Sequence, residues 1–326
     1  MTARKPGKGG TSDLAPAAME GPPEGDEGLV AAVYSGKFLV WRAGREWVCS
    51  LRGRQRREAR PVVGDRVLLT THPDGSGTIL TILPRRNALT RRQADRARRG
   101  RPAAAQVLAA NVDQLVIVAA LREPPFREGL VERLLAAAAV AGMEPLLCIS
   151  KIDLDGGGEF DALCLVYRAL PLAVLGVTIR RPETLAALGA ALAGKTSVLA
   201  GHSGVGKTSL LNELVERQMA VGDLGGAQVA RGRHTTSTAR LIPLRGGGFA
   251  IDSPGVKEFG LHGPAPSELA RHYPDFGPHL DHCGFRDCMH RSEPGCAVLA
   301  AVEAGEVSQA RYRSYRTLLE ELEEPR

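Results

Sequence analysis

The chain has 326 residues, of which 44% are hydrophobic and 24% charged, with a formal net charge of +6 and six cysteines. This length predicts two or three domains with a real apolar core, and the composition excludes a wholly disordered or fibrous chain. The most apolar region, from Leu134 to Cys148, is interrupted by Glu144 and flanked by Glu132 and Arg133, which excludes a bilayer-spanning helix there.

Residues 1–27 are rich in Gly, Pro, Ala and charge, with almost nothing to bury, and read as a disordered tail. Early lysines without a following apolar core give no expectation of a signal peptide. Residues 28–90 then change to short alternating runs at 29–34, 37–41, 46–51, 62–69 and 77–83. Five short strands separated by turn residues predict a small barrel, with the OB-fold leading. The strands alone do not separate that fold from another small β-barrel with a basic surface. Residues 91–104 form an arginine-rich basic linker that contains Arg91-Arg92-Gln93-Ala94-Asp95-Arg96-Ala97-Arg98-Arg99. The C-terminal tail is locally acidic, so the positive charge gathers on one face, as a polyanionic partner would require.

From 105 to 262 the rhythm becomes strand, then helix. The continuous apolar run 113–120 suits a buried parallel strand, 129–141 a helix and 145–149 the next strand. Further strands are expected at 172–177, 196–200 and 248–252, with helices between them. This alternation predicts an α/β domain built on a doubly wound parallel sheet. Residues 263–326 hold a short Cys/His segment and a terminal helix from about 308 to 324.

Gly201-His202-Ser203-Gly204-Val205-Gly206-Lys207-Thr208-Ser209 matches the phosphate-binding pattern G-x-x-x-x-G-K-[ST], and it lies between an expected strand and helix. Its glycines let backbone N–H groups face phosphates, and the following helix N-terminus adds partial positive charge. Lys207 is expected at the β- and γ-phosphates, with the Thr208 hydroxyl on Mg²⁺. Downstream, Asp252-Ser253-Pro254-Gly255 ends a strand in a tight turn. Asp252 is the candidate Mg²⁺-facing carboxylate, and the Gly255 backbone the candidate sensor of the γ-phosphate. Between these motifs lies Gly232-Arg233-His234-Thr235-Thr236-Ser237, where Thr236 is preferred to Thr235 as a further Mg²⁺ ligand.

Base choice is read at Ser150-Lys151-Ile152-Asp153, which is close to the guanine pattern N-K-x-D. A carboxylate at Asp153 accepts from guanine N1–H and the N2 amino group, donors that adenine lacks there. The stem of Lys151 suits the base plane. Ser150 replaces asparagine, and its shorter side chain is expected to lose reach to the base edge or the phosphate loop. A second base-contacting loop is expected at Val177-Thr178-Ile179. The guanine motif thus precedes the phosphate loop, which implies a circular permutation of the usual sheet.

Cys283, Cys288, His290 and Cys296 follow the spacing C-x4-C-x-H-x5-C, a complete tetrahedral set for one structural Zn²⁺. His282 reads as a surface histidine, while Cys49, Cys148 and Cys164 lie in apolar surroundings and read as core. Cysteines used this way favour a reducing, cytoplasmic location.

Together, G-x-S-G-V-G-K-[ST]-S, G-R-H-T-T, D-S-P-G-x-x-E-F-G and C-x4-C-x-H-x5-C-A-V resemble the circularly permuted GTPases that depend on the small ribosomal subunit (RsgA/YjeQ type). The likeness runs from about Gly28 to the C-terminus. It implies an N-terminal OB-fold, a permuted G domain and a C-terminal zinc subdomain. It further implies late maturation of the small ribosomal subunit, rRNA binding and slow GTP hydrolysis stimulated by that subunit. Three departures stand out: Ser150, His202 in place of glutamine, and the segment after Thr178. Val256 stands where Ras-like enzymes carry glutamine, so low intrinsic turnover is expected, with His234 the candidate for positioning water. A monomer with no membrane partner is expected. The rival readings are a P-loop ATPase or kinase, and an RNA-binding scaffold that only senses GTP.

Overall fold

The structure, a computed structural model, describes residues 25–34, 36–52, 60–92, 105–168, 170–215, 239–252 and 264–323. Its first unit is built from β1 (Asp26–Tyr34), β2 (Lys37–Arg42), β3 (Arg45–Leu51), β4 (Arg66–Thr71) and β5 (Ser76–Ile82). Strands β1, β2 and β3 form an antiparallel meander, β3 pairs with β5 in parallel, and the β1–β4 pairing closes the barrel. Strand alternation turns Val30, Phe38, Val40, Trp47, Cys49, Val67, Leu69 and Ile79 into one interior. The parallel β3–β5 step selects the OB-fold over other small barrels. The β2–β3 link, Ala43-Gly44, has φ of 50° and 78°, the positive values that a tight hairpin of this hand demands.

Strands β6 (Ala88–Arg92) and β7 (Ala105–Ala110) form a separate antiparallel ribbon. The segment read as a basic linker therefore opens inside a strand, where Arg92 is the partner of Ala105. Arginines in a short ribbon leave no apolar alternation, so nothing in the local pattern announces it.

The second unit contains β8 (Gln114–Ala120), β9 (Glu144–Ser150), β10 (Ala173–Val177), β11 (Thr196–Ala200), β12 (Arg240–Pro243) and β13 (Phe249–Asp252). Their order is β10-β9-β8-β11-β13-β12, with β12 antiparallel and the rest parallel. Every residue of β8 is buried because both faces are covered. On one face Leu115, Ile117 and Ala119 pack with Val131, Leu134 and Leu135 of α1 (Glu128–Val140). On the other face Val116, Val118 and Ala120 pack with α3 (Pro182–Leu192) and α4 (Lys207–Leu214). The short strand β12 falls outside the sequence expectation. Cys49 and Cys148 are fully buried as expected, but Cys164 is only half-buried. Its helix α2 (Glu159–Tyr167) buries Tyr167 and exposes Leu165 and Val166, and Cys164 beside them keeps part of its surface in solvent.

Barrel and α/β unit meet at two joints. Ala32 of β1 bridges Arg240 of β12, joining the two sheets. At the second joint, the Ala110 N–H donates to the Val63 carbonyl at 2.9 Å, and Asn111 Nδ2 donates to the Gly64 carbonyl at 2.9 Å. A Cβ on Gly64, whose φ is +85°, would stand 2.1 Å from the Ala110 oxygen, so only glycine fits there.

The C-terminal module comprises a 3₁₀ turn (Pro266–His272), α5 (Gly277–Leu280), α6 (Ala297–Ala304) and α7 (Gln309–Glu323). Leu269, Tyr273, Phe276, Val298, Tyr315 and Leu319 form its core, together with Ala136 from α1. Arg311 of α7 locks it to the α/β unit. Its guanidinium reaches Glu132 of α1 at 2.6 Å and Asp275 at 2.7 and 3.1 Å, and lies over the Tyr273 ring. Burial pushes the Glu132 carboxyl above its ordinary value, against the pull of Arg311. Arg311→Ala leaves two carboxylates buried without their cation and is expected to cost about 3–5 kcal/mol in denaturant unfolding. A carboxyl whose pKa is raised in the folded state contributes stability below its unfolded pKa and loses it as pH rises. The deficit of the variant should therefore be largest at neutral pH and shrink on acidification; a pH-independent deficit would contradict this account.

Candidate nucleotide site and metal centre

Parallel pairing brings the C-terminal ends of β8, β9, β10, β11 and β13 to one edge of the sheet. Ala120 is paired with Ser150, Ser150 with Val177, and Ile117 with Ala200. Crevices at this edge are where open α/β sheets bind ligands. The segments leaving β9, β10, β11 and β13 are the ones that sequence patterns single out, and the last of them lies outside the described residues beyond Asp252.

After β11 the chain runs through Gly201 to Gly206 and enters α4 at Lys207. Gly201 passes so close to β8 that a Cβ would lie 2.0 Å from the Val118 oxygen, while Gly204 and Gly206 have φ of +82° and +92°. Val205 is buried among the apolar residues beneath the loop and anchors it. The Lys207 ammonium donates to the Gly201 carbonyl at 2.7 Å and the His202 carbonyl at 2.6 Å, so its charge arches over the loop. His202 Nδ1 lies 2.8 Å from the Ser203 carbonyl. Thr208 and Ser209 are exposed in the first turn of α4. With a helix N-terminus, loop N–H groups and an ammonium converging, the arrangement suits a polyphosphate.

Beside this loop opens a cleft lined by Ser150, Lys151, Asp153, Thr178, Arg180 and Ser209 among others. Ser150 is buried, and its hydroxyl donates to the Val205 carbonyl at 2.6 Å, with the Ala119 carbonyl 3.3 Å away. The expected loss of reach to the phosphate loop is therefore corrected. The end of β9 lies near enough to the loop for a short side chain to bridge them. Lys151 sits at φ 58°, and its ammonium donates to the Glu123 carbonyl. Ile152 and Asp153 occupy the 3₁₀ turn that follows.

Asp153 is held from β10. The Thr178 hydroxyl donates to its Oδ1 at 2.6 Å, and Arg180 Nη1 stands 3.2 Å from its Oδ2. The hydrogen bond from Thr178, reinforced by the charges of Arg180 and Arg181, holds this carboxyl below its ordinary range. Thr178 is itself fixed: its N–H donates to the Thr184 hydroxyl at 3.1 Å, and that hydroxyl donates back to the Thr178 carbonyl at 3.0 Å. Thr178 and Arg180 are site residues that motif reading undervalued, because the segment lacks the expected serine-alanine pair. The one available signal was a hydroxyl residue directly after a strand of the sheet. At this edge Asp252 ends β13, which pairs with β11, the strand carrying the phosphate loop. His234, Thr236, Gly255 and Val256 lie outside the described residues.

In the C-terminal module Cys283, Cys288, His290 and Cys296 come together, with one ligand atom of each within 4.8 Å of the others. His290 Nδ1 lies 3.5 Å from Cys283 Sγ and 3.4 Å from Cys296 Sγ. Tetrahedral zinc with ordinary Zn–S and Zn–N bonds predicts a sulfur–nitrogen edge of roughly 3.6 Å, so the donor set fits a single ion of that size. Glu293 shapes the loop by accepting the N–H groups of Met289, Arg291 and Ser292 at 2.7, 2.6 and 2.9 Å. Tyr315 and Tyr312 on α7 donate to the Met289 and His290 carbonyls, each at 2.9 Å. Cys296 caps α6. Exposed His282 stands outside the group.

The family model described as RsgA GTPase matches residues 82–262, more than half of the chain. The chain belongs to the RsgA GTPase family. It is 41% identical over 303 residues to the small ribosomal subunit biogenesis GTPase RsgA of Bordetella pertussis, covering 90% of this chain and 96% of that protein. The protein of the same description from Moorella thermoacetica is 39% identical over 301 residues, covering 91% and 97%. Among solved structures, YjeQ from Thermotoga maritima superposes with a TM-score of 0.75 at 30% identity, covering 92% of this chain and 99% of that one. YloQ, a circularly permuted GTPase, gives 0.73 at 28% identity over 92% and 96%. Membership in the RsgA family makes the chain a GTP-hydrolysing enzyme and its α/β unit a circularly permuted GTPase domain. The cleft at Asp153 is also lined by Val205, Gly206 and Ser209 of the loop that carries Lys207.

Proposed function

We propose that the chain is a GTP hydrolase acting late in maturation of the small ribosomal subunit, docking on its rRNA and accelerated by it. The observation that carries this reading is the ionised Asp153, held by Thr178 beside the Gly201–Ser209 loop, in a chain 41% identical to a named small ribosomal subunit biogenesis GTPase. Asp153 reads guanine, with Ser150 and Lys151 lining the cleft around it. The N–H groups of Gly201, His202, Ser203, Gly204, Val205 and Gly206, with those opening α4, cradle the phosphates, and Lys207 neutralises the β- and γ-oxygens. Thr208, Thr236 and Asp252 would hold Mg²⁺, which would supply positive charge to the phosphate oxygens. Gly255 senses the γ-phosphate, and Val256 itself offers the attacking water no polar group, so turnover stays slow until the chain docks on RNA and His234 comes into play. His234 positions that water.

The module beyond residue 263 holds one structural Zn²⁺ on Cys283, Cys288, His290 and Cys296, with no ligand position left open for chemistry. The arginine-rich barrel of residues 28–90 and the basic segment 91–104 face rRNA, and their phosphate contacts make docking salt-sensitive. We take the working protein to be a cytoplasmic monomer; among the described residues no helix is long and apolar enough to cross a membrane.

Hydrolysis of GTP measured with and without purified small subunits tests the reading. The rate is expected to rise at least about tenfold and saturate with subunit concentration. An unchanged rate would remove the ribosome-coupled function. Single-turnover hydrolysis by His234→Ala is expected to lose that stimulation, and full stimulation would remove the role given to His234.

A further inference from the structure

The joint between barrel and GTPase sheet is made by the strand next to the one that ends in Asp252. Arg240 opens β12, and its two edges face unequal neighbours. On one side it is paired with Ala32 of the barrel, and on the other it is the antiparallel partner of Asp252. Its guanidinium lies 3.2 Å from Glu46 of β3, with the two side chains only 17% and 24% exposed. At the far end of β13, Phe249 sets its ring edge against Trp41 of β2, with centroids 6.1 Å apart and planes at 78°. The β12–β13 ribbon is therefore gripped by the barrel at both ends. The other joint, at Gly64 and Ala110, is a close backbone contact that fixes the barrel to the root of β8.

We infer that Arg240 is a positioning residue: through Glu46 it holds the strand ending in Asp252 to the barrel, so that nucleotide state and barrel setting form one coupled equilibrium. This rests on the reading of Asp252 as the Mg²⁺-facing carboxylate. Paired strands share one hydrogen-bond register, and a displacement of β13 is transmitted to β12 rather than absorbed between them. Close-packed joints answer by exchanging discrete arrangements rather than by stretching. The coupling is reciprocal: a ligand that shifts the barrel changes nucleotide affinity by the same factor by which nucleotide changes barrel affinity.

The chain supplies its own reporter. Its two tryptophans, Trp41 and Trp47, both lie in the barrel, and Trp41 alone of them touches β13, since Trp47 faces the barrel interior beneath Arg45. In the full-length protein, intrinsic emission is compared at saturating GDP and at a saturating non-hydrolysable GTP analogue, both with Mg²⁺. A difference is expected, and Trp41→Phe should abolish it. In Arg240→Ala and Glu46→Ala the difference should fall at least about fivefold, while GDP affinity stays within about threefold of the parent, as removal of a partly exposed ion pair allows. The exchanged pair, Glu46→Arg with Arg240→Glu, should restore it. Identical emission in the two nucleotide states, or an undiminished difference in Arg240→Ala, would overturn the inference. Loss of GDP binding in the single variants would also overturn it, by showing a merely structural role. A chain that binds no guanine nucleotide would fail the GTPase reading first, visible in the titration before any emission is compared.

Discussion

Asp153→Asn is expected to lower GTP affinity on the order of 10³-fold and to create binding of xanthosine triphosphate. Guanine offers two donors, N1–H and the N2 amino group, to a carboxylate that accepts both. An amide in that place presents its own N–H to the amino group and leaves a donor facing a donor. Xanthine carries a carbonyl where guanine has the amino group, and the amide satisfies it. The surroundings favour this reading because Asp153 is oriented in advance: the Thr178 hydroxyl holds Oδ1 at 2.6 Å and Arg180 stands at Oδ2. Competitive titration with guanine and xanthine nucleotides measures the change. Unaltered GTP affinity in the variant would move base recognition away from Asp153, and equal affinity of the parent chain for ATP would favour the kinase or ATPase alternative.

Removing the metal should produce the second large effect. Four ligands packed within 4.8 Å of one another include three sulfurs, and loss of their shared cation removes the bonds that tie the ligand loop together. Structural zinc contributes about 10–16 kcal/mol of apparent binding free energy in small modules, and binding energy of this kind is folding energy. Chelation, or Cys288→Ser, is therefore expected to loosen the module from Pro266 to Glu323 while leaving the nucleotide cleft intact. Three of the five tyrosines, Tyr273, Tyr312 and Tyr315, cluster beside the ligand loop. Near-ultraviolet circular dichroism should lose much of its tyrosine signal, limited proteolysis should cut the module, and GDP affinity should change by less than about threefold. Retained tyrosine dichroism after verified metal loss would contradict a structural role.

The distance over which each signal acts explains what could be read early. The strands of the barrel and sheet follow alternation and apolar runs a few residues long, and such patterns report burial directly. The all-buried strand β8 is the clearest case, since each face has its own helix layer. The ribbon β6–β7 and the short strand β12 left no such trace. Their pairing is with near neighbours in the chain, but their arginines and short lengths carry no apolar period. Cys164 illustrates another limit: apolar neighbours in sequence do not say how completely a short helix is covered. Ser150 marks another, because whether a short side chain reaches its target depends on the spacing of two loops.

By itself, the sequence determined the chemistry that lives in contiguous residues: the glycine-rich loop ending in Lys207 and Thr208, the Ser150–Asp153 turn, and the three cysteines and histidine with metal spacing. Backbone curl, ligand count and donor type are local properties, so local order suffices to specify them. Tertiary structure alone decided that Thr178 holds Asp153, that Ser150 ties β9 to the phosphate loop, that Arg311 bolts α7 to α1, and that Arg240 joins the strand of Asp252 to the barrel. Those contacts link residues from 25 to 194 positions apart. Their partners are chosen by packing and strand register, which no stretch of sequence contains. The guanine motif precedes the phosphate loop in the chain, yet the parallel sheet returns both to one edge, where a single nucleotide can span them.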